Sequence, residues 1–198
     1  MRRMLLAVKN EECGATIIEF AIILPVMLML IMGLCEFAFQ AYVQSVLSGA
    51  MQFAGRDSSI QGNESDTNGK VLDQQVMKSV WSVISSATYV SSRKSYAQFG
   101  TIAPEPFQDN NNNRRYDAAS ECFTDLNGNR TWDADPGLKG QGGAGDVVVY
   151  RIDISYPRLF PVAALMGMTG NVALSSTTTL KNQPYKTQVT SAATQVCP

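Results

Sequence analysis

The residues with the most chemistry in this 198-residue chain are oxygen donors arranged twice over. Phe107–Asp117, FQDNNNNRRYD, aligns with Phe123–Asp133, FTDLNGNRTWD, at a shift of sixteen; Phe, Asp, Asn, Asn, Arg and Asp recur in place, and Tyr116 matches Trp132. Such a match is an internal repeat rather than an accident of composition. Each copy reads D-x-N-x-N-x-x-x-D. That sets Asp109, Asn111, Asn113 and Asp117 at ligand spacing in the first, and Asp125, Asn127, Asn129 and Asp133 in the second. Hard cations such as calcium take oxygen donors in this pattern. The chain has no histidine, which removes Ser-His-Asp and Cys-His catalysis and zinc sites with histidine ligands. No nucleophile–base pair and no small-molecule site stands out among the rest. The formal net charge of −1 offers no basic stripe for nucleic acid.

The repeat departs from an EF-hand at two points. Arg114 and Arg130 stand where the sixth-position glycine belongs, and Ser120 and Pro136 where the twelfth-position glutamate belongs. The shorter dockerin-like or thrombospondin-type calcium repeats are the closer resemblance, although they too favour glycine at six. Two readings stay open: calcium loops, or solvated loops held by Asx turns. Gly137–Gly145, GLKGQGGAG, lacks the Lys-Ser/Thr and following helix of a phosphate-binding loop and reads as a connector.

A second chemical group sits where carboxylates are rare. Ala15–Cys35 is apolar apart from Glu19 and would span about 31 Å as a helix, enough to cross a bilayer. Arg2, Arg3 and Lys9 precede it, and the next basic residue is Arg56, so residues 1–14 are expected in the cytoplasm and the remainder outside. The run is long for a cleaved secretory signal, and Leu34-Cys35-Glu36 is not a small-x-small cleavage site. A generic single-pass anchor with Glu19 snorkelling at the membrane edge is one reading.

The other comes from the residues around Glu19. Gly14-Ala15-Thr16-Ile17-Ile18-Glu19-Phe20 resembles the processing site of type IV prepilins and pseudopilins. GATIIEFAIILPVMLMLIMGLCEF, with the Glu-Phe pair, Pro25, Gly33 and Glu36, is similar to the TadE-like pseudopilins of the tight-adherence (Flp) pilus system, and LSSTTTLKNQPY resembles that family's final strand and Asn-x-Pro turn. The resemblance implies cleavage after Gly14 by a prepilin peptidase, with Ala15 as the new amino terminus and Glu19 as the fifth residue. It implies a non-enzymatic role in pilus assembly, in the bacterial inner membrane or at the cell surface. The implied partners are the major pilin, other pseudopilins and an inner-membrane assembly platform. The new amine would lie one helical turn from Glu19, so a pairing between neighbouring subunits would offset the carboxylate's desolvation. The competing function is a membrane-anchored, calcium-dependent adhesive module unrelated to pili.

These groups need elements to hold them. The expected organisation is a leader at 1–14, a transmembrane helix at 15–35, its periplasmic extension at 36–56, and a periplasmic α+β domain at 57–198 carrying the duplicated loop at 107–135. Phe39, Tyr42, Val43, Val46, Ala50 and Phe53 mark the core-facing stripe of the extension, with Gln40, Gln44 and Ser48 opposite. Residues 57–70 read as a loop, and Val71–Ala87 as a second helix with Leu72, Val76, Val80, Ile84 and Ala87 at i+4 spacing. Thr88–Phe99 has strand character. Val148, Tyr150, Ile152, Ile154 and Tyr156 alternate with polar residues in the clearest strand, and Val172–Leu180 forms another. The fold class is α+β, helices against a short antiparallel sheet. Export would place Cys122 and Cys197 in an oxidising space, apart from Cys13 in the leader and Cys35 in the membrane, so either they pair or they are two free buried thiols.

Overall fold

The computed structural model describes residues 13–58, 69–160, 164, 167, 170–183 and 193–198. The leader up to residue 12, most of the expected 57–70 loop, Pro161, and the Pro184-Tyr185 end of the Asn-x-Pro turn lie outside the described residues. Helix α1 spans Cys13–Ser58 and passes through Pro25 without ending. Among the described residues it is the one helix long and apolar enough to cross a membrane. Helix α2 is Lys70–Trp81, and the strands are β1 Thr88–Tyr96, β2 Phe123–Asp125, β3 Leu138–Lys139, β4 Val147–Pro157, β5 Asn171–Lys181 and β6 Thr194–Val196. This is a long apolar helix followed by a small domain of mixed helix and antiparallel strand.

The chain divides into two compact units. One consists of Met1–Tyr42 with Pro157–Val172. Its stretch of α1 exposes Ile17, Phe20, Ile23, Leu30, Leu34 and Phe37, an apolar surface that water would not tolerate in isolation. Glu36 breaks the pattern by being buried. Its Oε2 accepts the backbone N–H groups of Leu159 at 3.2 Å and Phe160 at 3.3 Å. Gln40 Nε2 donates to Oε1 at 3.4 Å, and Arg158 Nη1 lies 3.7 Å from the same oxygen.

The other unit consists of Val43–Tyr156 with Ala173–Pro198 and contains most of the core. A four-stranded sheet runs in the order β3-β1-β4-β5, with β1 antiparallel to β4 from Thr88↔Ser155 to Tyr96↔Val147. The alternation in β4 is realised: Val148, Tyr150, Ile152, Ile154 and Tyr156 are buried and Arg151 is exposed. Burying each such side chain contributes on the order of 1.5–3 kcal/mol. Helix α2 adds Leu72, Val76, Met77 and Val80.

Two expectations about the helices are corrected. The buried stripe of α1 is Val43, Leu47, Met51 and Ala54, whereas Tyr42 and Phe53 are exposed. The helix has two adjoining apolar stripes here, and the aliphatic one faces the core while the aromatic one stays outside. Helix α2 ends at Trp81 instead of Ala87. Past it the chain turns, with Val83 and Ile84 N–H groups both bonded to the Val80 carbonyl and the Trp81 indole donating to the Ala87 carbonyl at 2.9 Å.

One buried charge fastens α2 to the sheet. Asp73 accepts from Arg93 Nη2 at 2.6 Å, from Ser91 Oγ, and from the Tyr150 hydroxyl at 2.6 Å, with the Arg93 guanidinium 4.0 Å above the Tyr150 ring. Burial and the bond to Asp73 push the Tyr150 hydroxyl well above its ordinary pKa. Arg93 also donates to the Gly69 carbonyl ahead of α2, where a Cβ would fall within 1.8 Å of the guanidinium and φ is +63°. Both conditions call for glycine.

Candidate functional site

The duplicated segment folds as two loops that satisfy each other. Within the first, Asp109 accepts the N–H groups of Asn113 at 3.1 Å and Arg114 at 2.8 Å; within the second, Asp125 accepts those of Gly128 and Arg130 at 2.7 and 2.8 Å. Asn111 Oδ1 accepts from Asn113 N–H, and Asn113 Oδ1 from Arg115 N–H. Asn127 and Asn129 make the same bonds to Asn129 and Thr131. These are serial Asx turns, which let short polar side chains stand in for backbone partners.

The sequence-predicted donors do meet. Asp117 Oδ2 receives Asn111 Nδ2 at 2.7 Å and Asn113 Nδ2 at 2.9 Å, and Asp133 Oδ2 receives Asn127 Nδ2 at 2.8 Å and Asn129 Nδ2 at 2.6 Å. As placed, the side-chain amides present nitrogen to the ninth-position carboxylate, and the first-position carboxylate faces backbone N–H groups. A cation at this point would need the amides turned to present oxygen instead. Among the described residues, no three His, Cys, Asp or Glu side chains converge as a metal-ligand cluster. Position six adopts the conformation that a glycine would favour: Arg114 and Arg130 both have φ of 60°. Position four is left-handed too, at Asn112 and Gly128.

Two residues missed in the sequence complete the arrangement. Glu121 is 0% exposed and accepts Asn110 N–H at 3.0 Å and Asp117 N–H at 3.0 Å. Glu105 is 1% exposed and accepts Leu126 N–H at 2.8 Å and Asp133 N–H at 2.9 Å. The two glutamates are sixteen apart, so they are one position of the repeat, which begins two residues earlier than its phenylalanines: Glu105-Pro106-Phe107 and Glu121-Cys122-Phe123. The glutamate of each copy caps the loop of the other. The backbone follows the same rule, with Gln108 N–H bonded to the Cys122 carbonyl and Thr124 N–H to the Pro106 carbonyl. Phe107 and Phe123 form an antiparallel bridge between them. The two halves are thus related by an approximate two-fold.

Aromatic rings fill the space between the halves. Tyr116 stacks on Trp132 at 5.3 Å, Phe107 meets both edge-on, and Phe123 meets Tyr116 at 5.4 Å. Strand β2 pairs with β6, and a disulfide joins Cys122 to Cys197. The bond closes a long loop, which contributes on the order of 4 kcal/mol by restricting the unfolded chain.

The processing residues lie at the other end of the chain. Gly14 and Ala15 fall in the first turn of α1, with the side-chain surroundings of Ala15 outside the described residues. Glu19 and Phe20 follow on the same helix, both exposed among apolar neighbours. Pro25, Gly33 and Glu36 then occur in order along one continuous helix. Residues 14–56 match the TadE-like protein family. The TadE-like match thus coincides with α1 and stops short of the twinned loop. It associates the chain in general terms with the tight-adherence pilus and its membrane. No curated protein and no solved structure matches the chain.

Proposed function

We propose that the protein is a non-enzymatic minor pilin, or pseudopilin, that takes part in assembling a tight-adherence pilus. The observation that carries this reading is the TadE-like match over a helix long and apolar enough for a membrane, with Glu19 as its only early carboxylate. In this reading a prepilin peptidase cuts after Gly14, and α1 holds the protein in the bacterial inner membrane with its amino terminus cytoplasmic and the α+β domain periplasmic. Incorporation into the pilus would carry it to the cell surface. The exposed apolar face of α1 then has two hosts in turn, lipid before assembly and neighbouring helices after it. Partners are the major pilin, other pseudopilins and the assembly platform.

The test is mass spectrometry of the mature amino terminus. A chain beginning at Ala15 is expected; an intact Met1 in cells with active peptidase overturns the reading. Glu19→Gln separates processing from assembly: cleavage stays near normal and pilus output is lost, whereas Gly14→Leu leaves uncut precursor in the membrane. Normal pili from the Glu19→Gln strain would reduce that carboxylate to a membrane-edge residue.

A second reading, a calcium-dependent adhesive module on the same anchor, draws on the left-handed backbone at positions four and six shared by the two loops. Calcium would replace the amide donors at Asp117 and Asp133. Millimolar calcium should then raise the melting temperature of the full-length protein in detergent, and chelation should reverse it. No shift would leave the loops as self-satisfied structure.

A further inference from the structure

The connection between β4 and β5 belongs to the same compact unit as the apolar part of α1. Arg158 N–H donates to the Gly170 carbonyl at 3.0 Å and closes its neck. Its root is pinned to the helix by Glu36, which takes the N–H groups of Leu159 and Phe160 and faces Arg158. The level of that attachment along α1 follows from helix geometry. Glu36 is twenty residues beyond Thr16, a rise of about 30 Å, which is the thickness of a bilayer's hydrocarbon core. With α1 entering the hydrocarbon at Thr16, as the membrane-anchored reading has it, Glu36 stands where the helix leaves it.

A carboxylate at that level would ordinarily turn to water. Here it is 7% exposed and bonded to the loop root instead, which delivers Leu159 and Phe160 to the same height. Leu159 is 54% exposed, and Phe37 one residue beyond Glu36 is exposed as well. The sequence from Leu159 to Gly170, LFPVAALMGMTG, contains no charged residue, and the next one after Arg158 is Lys181. A soluble hairpin connection is normally polar.

We propose that Arg158, Leu159 and Phe160 form a second membrane contact, seated in the headgroup–acyl boundary of the lipid bilayer that α1 crosses. Leu159 and Phe160 enter the acyl edge beside Phe37, and Arg158 stays at headgroup depth, held by Glu36. The occupant is lipid because the surface continues directly from the apolar span. The effect is to fix the depth of the loop root and of α1 at Glu36 in the bilayer before any assembly step. Interfacial aromatic and basic residues serve as depth anchors in this way.

This inference rests on the membrane-anchored reading of α1, and the experiment separates the two. The full-length chain carrying Cys13→Ser and Cys35→Ser is reconstituted in phosphatidylethanolamine–phosphatidylglycerol vesicles, with a single environment-sensitive fluorophore at Leu159→Cys, Phe160→Cys, Leu28→Cys or Ser92→Cys. Quenching by nitroxide lipids labelled near the headgroup is compared with quenching by an aqueous paramagnetic chelate. The Leu159 and Phe160 probes are expected to be quenched at least about threefold more by shallow nitroxide lipid than the Ser92 probe, with Leu28 answering to deep nitroxide. Leu159 and Phe160 probes that behave like Ser92, while Leu28 is lipid-quenched, overturn the inference and leave the anchor intact. A Leu28 probe that answers only to the aqueous chelate overturns the anchor, and this contact with it. Having two adjacent label sites keeps a local disturbance at either one from deciding the result.

Discussion

Asp109 and Asp125 hold the same place in the repeat and both accept the N–H of the position-six arginine, with a second bond from Asn113 in one and Gly128 in the other, yet Asp125 is 1% exposed and Asp109 is only half-buried. The surroundings differ more than the loops do. Asp125 lies in β2 against β6, while Asp109 lies in no strand. The residue two beyond the second loop's last carboxylate is Asp135, bonded to Lys94 and to the Tyr96 hydroxyl of β1, and its counterpart sixteen back is Ala119. The Trp132 indole donates to the Glu105 carbonyl at 2.9 Å, a bond the phenol of Tyr116 has no N–H to copy. Loop conformation therefore belongs to the repeat, and burial belongs to the address at which each copy sits.

The largest expected asymmetry is at those two aspartates. Asp125→Ala empties a buried side-chain position and unpairs two N–H groups in a partly buried loop, and should lower stability by about 2–3 kcal/mol, against about 1 kcal/mol for Asp109→Ala, whose N–H partners are exposed to water. Denaturant unfolding of the full-length protein in detergent measures both. Equal losses would mean that context contributes nothing.

The capping glutamates should behave in the opposite way. Glu105→Gln and Glu121→Gln each exchange one acceptor oxygen for a donor facing an N–H, and both should cost about 2 kcal/mol. A difference between them much above 1 kcal/mol would break the two-fold relation. The double variant should fall short of the sum, because the two caps hold one interface.

A smaller change of the other sign is expected at position six. Arginine in a left-handed conformation costs on the order of 1 kcal/mol that glycine does not. Arg114→Gly and Arg130→Gly should therefore each raise stability, by no more than about that amount. A loss at either would show that the guanidinium makes contacts worth more than the strain.

The smallest effect is the pH response of the tether that only the second copy has. The Lys94 hydrogen bond holds Asp135 below the usual carboxylate range. Its contribution is complete above the unfolded pKa and is lost as pH falls through the depressed folded one. Burial and the bond to Asp135 push Tyr96 up to about 12. That contribution is complete below about 10 and fades as pH rises from there towards 12. Asp135→Asn should flatten the acid limb of stability against pH slightly, and Tyr96→Phe the alkaline limb. Unchanged limbs would mean the tether is too solvent-screened to register.

Much of this arrangement was legible before the structure. The alternation in β4 needs only a period of two, and the apolar run of α1 only its length. The Asp/Asn repeat announced itself because identical residues recurred at one shift. Glu105 and Glu121 recur at that same shift but precede the phenylalanines that framed the match, and no calcium-loop template has a ligand there. Their role, capping the partner loop, appears only when the halves are paired in space. The stripe on α1 was missed for another reason. Two apolar stripes adjoin between Tyr42 and Ala54, and periodicity alone cannot say which of them meets a sheet whose position is unknown. The end of α2 was overrun because Ile84 and Ala87 continue its spacing, while the Trp81 indole bond that replaces the next turn has no sequence signature.

The reciprocal capping has a consequence for assembly state. Each half-repeat carries a glutamate that caps the loop of the other half, so it is complementary to a copy of itself. Inside one chain the second half is supplied at a high effective concentration by a tether of a few residues. With residues 105–120 deleted, Glu121 and the loop at Asp125–Asp133 would remain with no intramolecular partner. The only surface that satisfies them is the same pair on another molecule, related by a true two-fold axis. The shortened chain should therefore dimerise through the exchanged caps, as proteins do when a hinge forces domain swapping. The duplication places within one chain the two surfaces that a two-fold dimer of half-repeats would bring together.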